Sequence, residues 1–123
     1  MTKIMIVDDD MEATAILESL LKLEGYEPTS VNDSTIAVQR AGLIHPDLFL
    51  LDLMMPEIDG FKLCRLLRED KEFAYTPIII VTALADLDSR IVAYGAGANG
   101  YITKPYLPRE LVIKIKDLIT PTE

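Results

Sequence analysis

Three uninterrupted apolar runs constrain the fold of this 123-residue chain more than any other feature: Ile4-Met5-Ile6-Val7, Leu48-Phe49-Leu50-Leu51 and Ile78-Ile79-Ile80-Val81. Each has the length of a strand and no polar alternation, so each needs cover on both faces, as inside a parallel sheet. Two weaker strand candidates, Tyr26 to Val31 and Gly100-Tyr101-Ile102-Thr103, complete a set of five. Between them lie segments with helical spacing. The first carries Ala13, Ile16, Leu17, Leu20 and Leu21 and stops at Gly25, a plausible C-terminal glycine. The second runs from about Ser34 to Leu43 and is closed by His45-Pro46. The third carries Leu63, Cys64, Leu66 and Leu67 after an Asp59-Gly60 turn. The fourth has Leu87, Ile91 and Tyr94, and the fifth Leu111, Ile115, Leu118 and Ile119.

Five β-α units predict a doubly wound α/β fold, a five-stranded parallel sheet with five helices on its two faces. Pro28 orders the strands, because proline cannot donate to a ladder and belongs at an edge. The second strand is also the most polar, with Glu27, Thr29 and Ser30. An edge position for it fits the flavodoxin-like order 2-1-3-4-5, which puts the topological switch, and so the ligand crevice, beyond the ends of strands one and three.

Strand one runs into Asp8-Asp9-Asp10, strand three into Asp52, strand four into Thr82-Ala83 and strand five into Lys104-Pro105. In a parallel sheet these four ends open on one rim. Taken singly, each has a plain structural reading. An aspartate before a helix is commonly an N-cap, which suits Asp10 best; Thr82 reads as a cap and Lys104 as a solvated lysine. One helix start needs only one cap, so Asp8 and Asp9 need another role. Three carboxylates at close range repel one another unless a cation intervenes. Oxygen ligands with room for water suit Mg²⁺, or Mn²⁺ in its place. A carboxylate, a metal, a hydroxyl and a lysine together can perform phosphoryl transfer. Asp52 is then the nucleophile, Lys104 a point charge for the phosphate and Thr82 a hydrogen-bond donor to it. Pro105 turns the chain beside Lys104, through a bond whose cis or trans state the sequence leaves open.

Charge and composition exclude several alternatives. Twelve basic residues against 20 acidic leave a net charge of −8, which argues against nucleic acid as a direct partner. Cys64 is the only cysteine, lies in an apolar helical stretch and reads as a buried structural thiol. No signal-peptide pattern opens the sequence, and nothing approaches the roughly 20 apolar residues of a membrane helix, so the expected location is the cytoplasm and no membrane partner is expected. His45, the sole histidine, sits in a turn away from the rim, so no Ser-His-Asp or Cys-His arrangement exists.

The motifs Asp8-Asp9, then Asp52-Leu53-Met54-Met55-Pro56-Glu57-Ile58-Asp59-Gly60, then Thr82-Ala83, then Lys104-Pro105, resemble those of response-regulator receiver domains of two-component signalling (the CheY-like superfamily). The similarity runs from Ile4 to about Ile119, and implies a single receiver domain over residues 1–123. It implies that Asp52 accepts a phosphoryl group from a phosphohistidine on a sensor histidine kinase or phosphotransfer protein. Asp8, Asp9, Asp52 and the backbone carbonyl of Met54 would surround the metal, and Lys104 and Thr82 would contact the phosphoryl group. The family also implies a switch in which Thr82 moves toward the phosphate and Tyr101 rotates inward behind it. The altered surface would comprise helix four, strand five and helix five, with Leu87, Ile91, Tyr94, Tyr106 and Leu107 as contacts to an unknown output partner. Phosphorylation-linked dimerisation through helix four is left open. Met54 and Leu84 occupy the positions that tune phosphate lifetime in receivers. Neither is polar, which predicts slow hydrolysis.

Three rivals fit less well. A phosphohydrolase with a phospho-aspartate intermediate has an Asp-x-Asp-x-Thr motif, but here Met11-Glu12 follow the aspartates. A flavin-binding protein needs a hydroxyl- and glycine-rich loop after strand one, where this chain has three carboxylates. A receiver-like adaptor without phosphorylation would be expected to lack one of the five site residues. The expected role is therefore a signalling domain rather than an enzyme. After the fifth helix only Thr120-Pro121-Thr122-Glu123 remain, and no output domain is expected within the sequence.

Overall fold

A computed structural model describes residues 1–119; Thr120 to Glu123 lie outside that range. The five expected strands form as β1 (Lys3–Val7), β2 (Glu27–Val31), β3 (Leu48–Leu51), β4 (Ile78–Thr82) and β5 (Gly100–Thr103). All pair in parallel in the order β2-β1-β3-β4-β5. Pro28 is indeed on the edge strand, facing Ile4 of β1.

The helices are α1 (Met11–Leu23), α2 (Ala37–Ile44), α3 (Gly60–Glu69), α4 (Leu87–Gly95) and α5 (Pro108–Ile119). Leu17 and Leu21 of α1 and Leu111 and Ile115 of α5 cover one face of the sheet, over Ile4, Ile6, Leu48, Leu50, Ile79, Val81 and Ile102. Helices α2, α3 and α4 cover the other, over Met5, Val7, Phe49, Leu51, Ile78, Ile80 and Tyr101. Alternate residues of each apolar run thus go to opposite cores, which is why the runs lack polar alternation.

Local chemistry sets the element ends. Asp10 caps α1 by accepting from the N–H groups of Glu12 and Ala13, as expected, and Gly25 follows the helix at φ +89°. Asp59 caps α3 by accepting from Lys62 N–H, and Asp86 caps α4 by accepting from Ser89 N–H.

One boundary differs from expectation. The second helix was expected from Ser34, but Ser34–Ile36 is a 3₁₀ turn and α2 begins at Ala37, because the Asp33 side chain accepts from Thr35 N–H and tightens the entry. Helix α4 has its expected spacing, and its stripe lies on the outer surface: Leu87 is 67% exposed, Ile91 59% and Tyr94 43%, while its buried residue is Ala93.

Candidate metal and phosphoryl site

The rim is built by letting the sheet ladder overrun the strands by one residue. Val7 pairs with Leu51, and the next residues are Asp8 and Asp52. Asp8 N–H donates to Val31 O at 3.2 Å, Asp52 N–H to Val7 O at 3.0 Å, and Lys104 N–H to Thr82 O at 2.7 Å. Backbone hydrogen bonds of the sheet therefore fix the Cα positions of Asp8, Asp52 and Lys104.

The side chains converge from there. Carboxylate oxygens of Asp8, Asp9 and Asp52 all lie within 4.8 Å of one another. Lys104 Nζ donates to Asp8 Oδ2 at 2.7 Å and to Asp52 Oδ2 at 3.4 Å. Asp8 Oδ1 accepts from Asp10 N–H at 2.9 Å, and Asp52 Oδ1 accepts from Met54 N–H at 3.2 Å. Asp8 and Asp52 are nearly buried, whereas Asp9 is exposed and leaves the crevice open to solvent.

Electrostatics follow from this packing. Burial pushes the Asp8 carboxyl upward, more than the hydrogen bonds from Lys104 and Asp10 pull it back. Burial pulls the Lys104 ammonium down, but its hydrogen bond to Asp8 and the charges of Asp52 and Asp8 outweigh that, so its net shift is upward. The lysine thus stays charged between two carboxylates. An all-oxygen donor set of three clustered carboxylates, open on one side, fits a hard divalent cation that keeps bound waters. Asp8, Asp9 and Asp52 would hold it.

Thr82 is fully buried at the end of β4, and its hydroxyl accepts from Leu84 N–H at 3.4 Å. Tyr101, on β5, is buried at 4% exposure. Its hydroxyl donates to Leu84 O at 2.6 Å, and the Arg90 guanidinium lies 4.8 Å from its ring centroid. Thr82 and Tyr101 therefore meet on one residue, Leu84, through its N–H and its carbonyl on successive peptides. Burial, then the charge of Asp86, raises the Tyr101 phenol. Met54 projects its side chain to solvent, while Leu84 packs partly against the core. The Lys104-Pro105 bond is cis.

Sequence reasoning gave the edge strand β2 no part in the rim. The structure brings Asn32 and Ser34 there, immediately after β2, bonded to carbonyls of the β1–α1 and β3–α3 loops. Their signal was positional: they follow a parallel strand at the same end as Asp8 and Asp52. Gly60 was read only as part of a turn, yet a Cβ there would lie 2.2 Å from Asp52 O.

Residues 4–116 match the family model of the response regulator receiver domain. The chain is 39% identical over 118 residues to the transcriptional regulatory protein ResD of Bacillus subtilis, covering 96% of this chain and 48% of that protein. It is 33% identical over 123 residues to the DNA-binding dual master transcriptional regulator RpaA of Synechocystis, covering all of this chain and 51% of RpaA. The chain therefore spans about half the length of the curated relatives it matches. The BeF₃-activated N-terminal receiver domain of Klebsiella pneumoniae RstA superposes with a TM-score of 0.92 at 29% identity, covering 98% of this chain and all of that one.

Proposed function

The chain belongs to the response regulator receiver domain family, and from that premise we propose that residues 1–123 form one receiver whose Asp52 is the phosphoacceptor. The observation that carries this reading is the carboxylate cluster itself: three acidic side chains within 4.8 Å, with the Lys104 ammonium on two of them. A divalent Mg²⁺ or Mn²⁺ held by Asp8, Asp9, Asp52 and the Met54 carbonyl would supply charge neutralisation for the phosphoryl oxygens. An Asp52 carboxylate oxygen attacks the phosphorus of a phosphohistidine, the P–N bond breaks, and the imidazole leaves with its electron pair. Lys104 balances the negative charge that Asp52 gains, and the Thr82 hydroxyl turns from Leu84 N–H to donate to a phosphoryl oxygen. Asp52 is modified once and reset by hydrolysis of the acyl phosphate, so the domain signals rather than turns over substrate.

Tyr101 couples that event to the surface. Movement of Thr82 frees Leu84 N–H and so shifts the backbone on which the Tyr101 hydroxyl rests, and phosphate biases the two arrangements by differential contacts. Leu87, Ile91 and Tyr94 on α4, with Tyr106 and Leu107 after β5, then meet an output partner or a second phosphorylated copy. Phosphoryl donors are a sensor histidine kinase or a phosphotransfer protein in the cytoplasm. With a charge of −8, the domain itself makes no direct nucleic-acid contact.

Incubation with Mg²⁺ and a small acyl phosphate, followed by intact mass measurement, tests the assignment. One added phosphoryl group is expected, dependent on metal, labile to hydroxylamine and absent in Asp52→Asn. An adduct that survives Asp52→Asn would sink it.

A further inference from the structure

We infer that Asn32 and Ser34, the two side chains that the β2–α2 connection sends to the rim, are positioning residues that brace both ligand-bearing loops; this rests on the metal and phosphoryl reading of the site. Asn32 is the first residue beyond β2. Its Nδ2 donates to Asp8 O at 2.9 Å and to Thr14 Oγ1 at 3.1 Å. The Thr14 hydroxyl itself donates to Met11 O at 3.0 Å, so what it offers Asn32 is a lone pair. Asn32 thus holds the β1–α1 turn at Asp8 and, through buried Thr14, at the first turn of α1.

The carbonyl that Asn32 grips belongs to the peptide joining Asp8 to Asp9. Rotation of that peptide plane would swing the two carboxylates relative to each other. Asp8 is already held at its N–H by Val31 O and at its two carboxylate oxygens by Asp10 N–H and Lys104. The carbonyl is the remaining free coordinate, and Asn32 closes it.

Ser34 does the matching work on the other loop. Its buried hydroxyl donates to Pro56 O at 3.1 Å, an oxygen that also accepts from Ile58 N–H at 2.8 Å. Between Pro56 and Ile58 lies Glu57 at φ +68°, a left-handed conformation that a non-glycine residue adopts only under local constraint. The loop bent there carries Met54, whose N–H orients Asp52. One connection therefore references two separate loops to each other, although it supplies no ligand. Neither side chain belongs to an apolar core cluster, and Pro56 O keeps its bond from Ile58 N–H when Ser34 is removed. Removing the two struts should thus misplace carboxylates more than it unfolds the protein.

Mn²⁺ titration of the full chain, followed by the electron paramagnetic resonance signal of the free aqua ion, reads this directly. Urea midpoints in EDTA report stability alongside. Asn32→Ala and Ser34→Ala should each weaken Mn²⁺ binding about tenfold, and the pair about a hundredfold, because they act on different loops. Asn32→Asp should bind at least as weakly as Asn32→Ala, since it cannot donate to Asp8 O. If Asn32→Ala lowers the EDTA midpoint enough to link binding to folding, Ser34→Ala, which removes one oxygen without changing shape, decides alone. Variants within twofold of wild type, against wild-type binding that Asp52→Asn weakens, would overturn the bracing and leave the site reading standing. Wild-type binding that is absent, or indifferent to Asp52→Asn, would overturn both.

Discussion

Replacing Gly60 by alanine tests whether the close packing of α3 against the end of β3 positions Asp52. An added Cβ would lie 2.2 Å from Asp52 O, 2.7 Å from Leu53 Cα and 2.9 Å from Asp52 C. The shortest of these is more than roughly 1 Å inside ordinary van der Waals contact, and all three atoms are backbone, so no rotamer relieves the overlap. The strand end cannot retreat cheaply either, because Asp52 N–H is bonded to Val7 O and Gly60 N–H to Leu53 O. Overpacking costs about 1–3 kcal/mol where side chains yield, and a backbone obstacle argues for the top of that range. Alanine's better helix propensity returns less than about 1 kcal/mol at a first helical position. The expected net loss is about 2–3 kcal/mol in urea unfolding. A loop displaced by about 1 Å should also slow phosphorylation by a small acyl phosphate about a hundredfold. Gly42, in the middle of α2, supplies the control, since a Cβ there meets nothing within 4 Å. Gly42→Ala should stabilise by about 0.5–1 kcal/mol with an unchanged rate. If Gly60→Ala unfolds within about 0.5 kcal/mol of wild type and phosphorylates normally, the close packing of α3 against β3 is refuted.

Arg68 donates to Gly97 O, Phe73 O, Thr76 O and Asn99 Oδ1, and no described carboxylate pairs with it. Arg68→Lys keeps the charge but not the fork, and should cost about 2–3 kcal/mol by urea unfolding. Mg²⁺ at a hundred times its Kd should stabilise the wild type by about 2.7 kcal/mol, and Asp52→Asn by clearly less, measured as a thermal shift against EDTA. Burial lowers and the Asp8 and Asp52 contacts raise the Lys104 pKa, with a net rise above the ordinary 10.5. The fold therefore holds that proton more tightly than the unfolded chain does. This stability is complete below about pH 10.5 and is lost as pH climbs through the folded value, so urea midpoints should fall there more steeply for wild type than for Lys104→Met. Met54→Asn and Leu84→Glu should speed acyl-phosphate hydrolysis about tenfold by orienting water; an unchanged decay rate would remove their tuning role.

The sheet and its rim were legible because they rest on one-dimensional signals. Runs such as Ile78 to Val81 declare two-sided burial, Pro28 declares an edge, and strand order then assembles Asp8, Asp52, Thr82 and Lys104 without any contact information. What stayed hidden depends on three-dimensional fit. Nothing in the identity of Asn32 says that its amide reaches a carbonyl 24 residues earlier, and no glycine announces that its missing Cβ faces a backbone oxygen. The Leu84 backbone was hidden too, since backbone atoms carry no sequence signature.

Helix α4 shows why helical spacing alone does not say which way an apolar stripe faces. Leu87, Ile91 and Tyr94 recur at helical intervals as a core stripe would, yet all three face solvent. The inward side of α4 buries Ala93, while α3 buries Leu63, Cys64 and Leu67, and α5 buries Leu111, Val112 and Ile115. At about 25 cal/mol per Å² of apolar area, one alanine anchors a helix far less than three larger side chains do. What holds the start of α4 to the sheet is largely polar: the Tyr101 hydroxyl on Leu84 O and the Arg90 guanidinium over the Tyr101 ring. An element with so thin an apolar seam shifts at low free-energy cost. Its outward apolar stripe is then a surface whose presentation a change at Leu84 can alter at low cost, as the proposed switch would need.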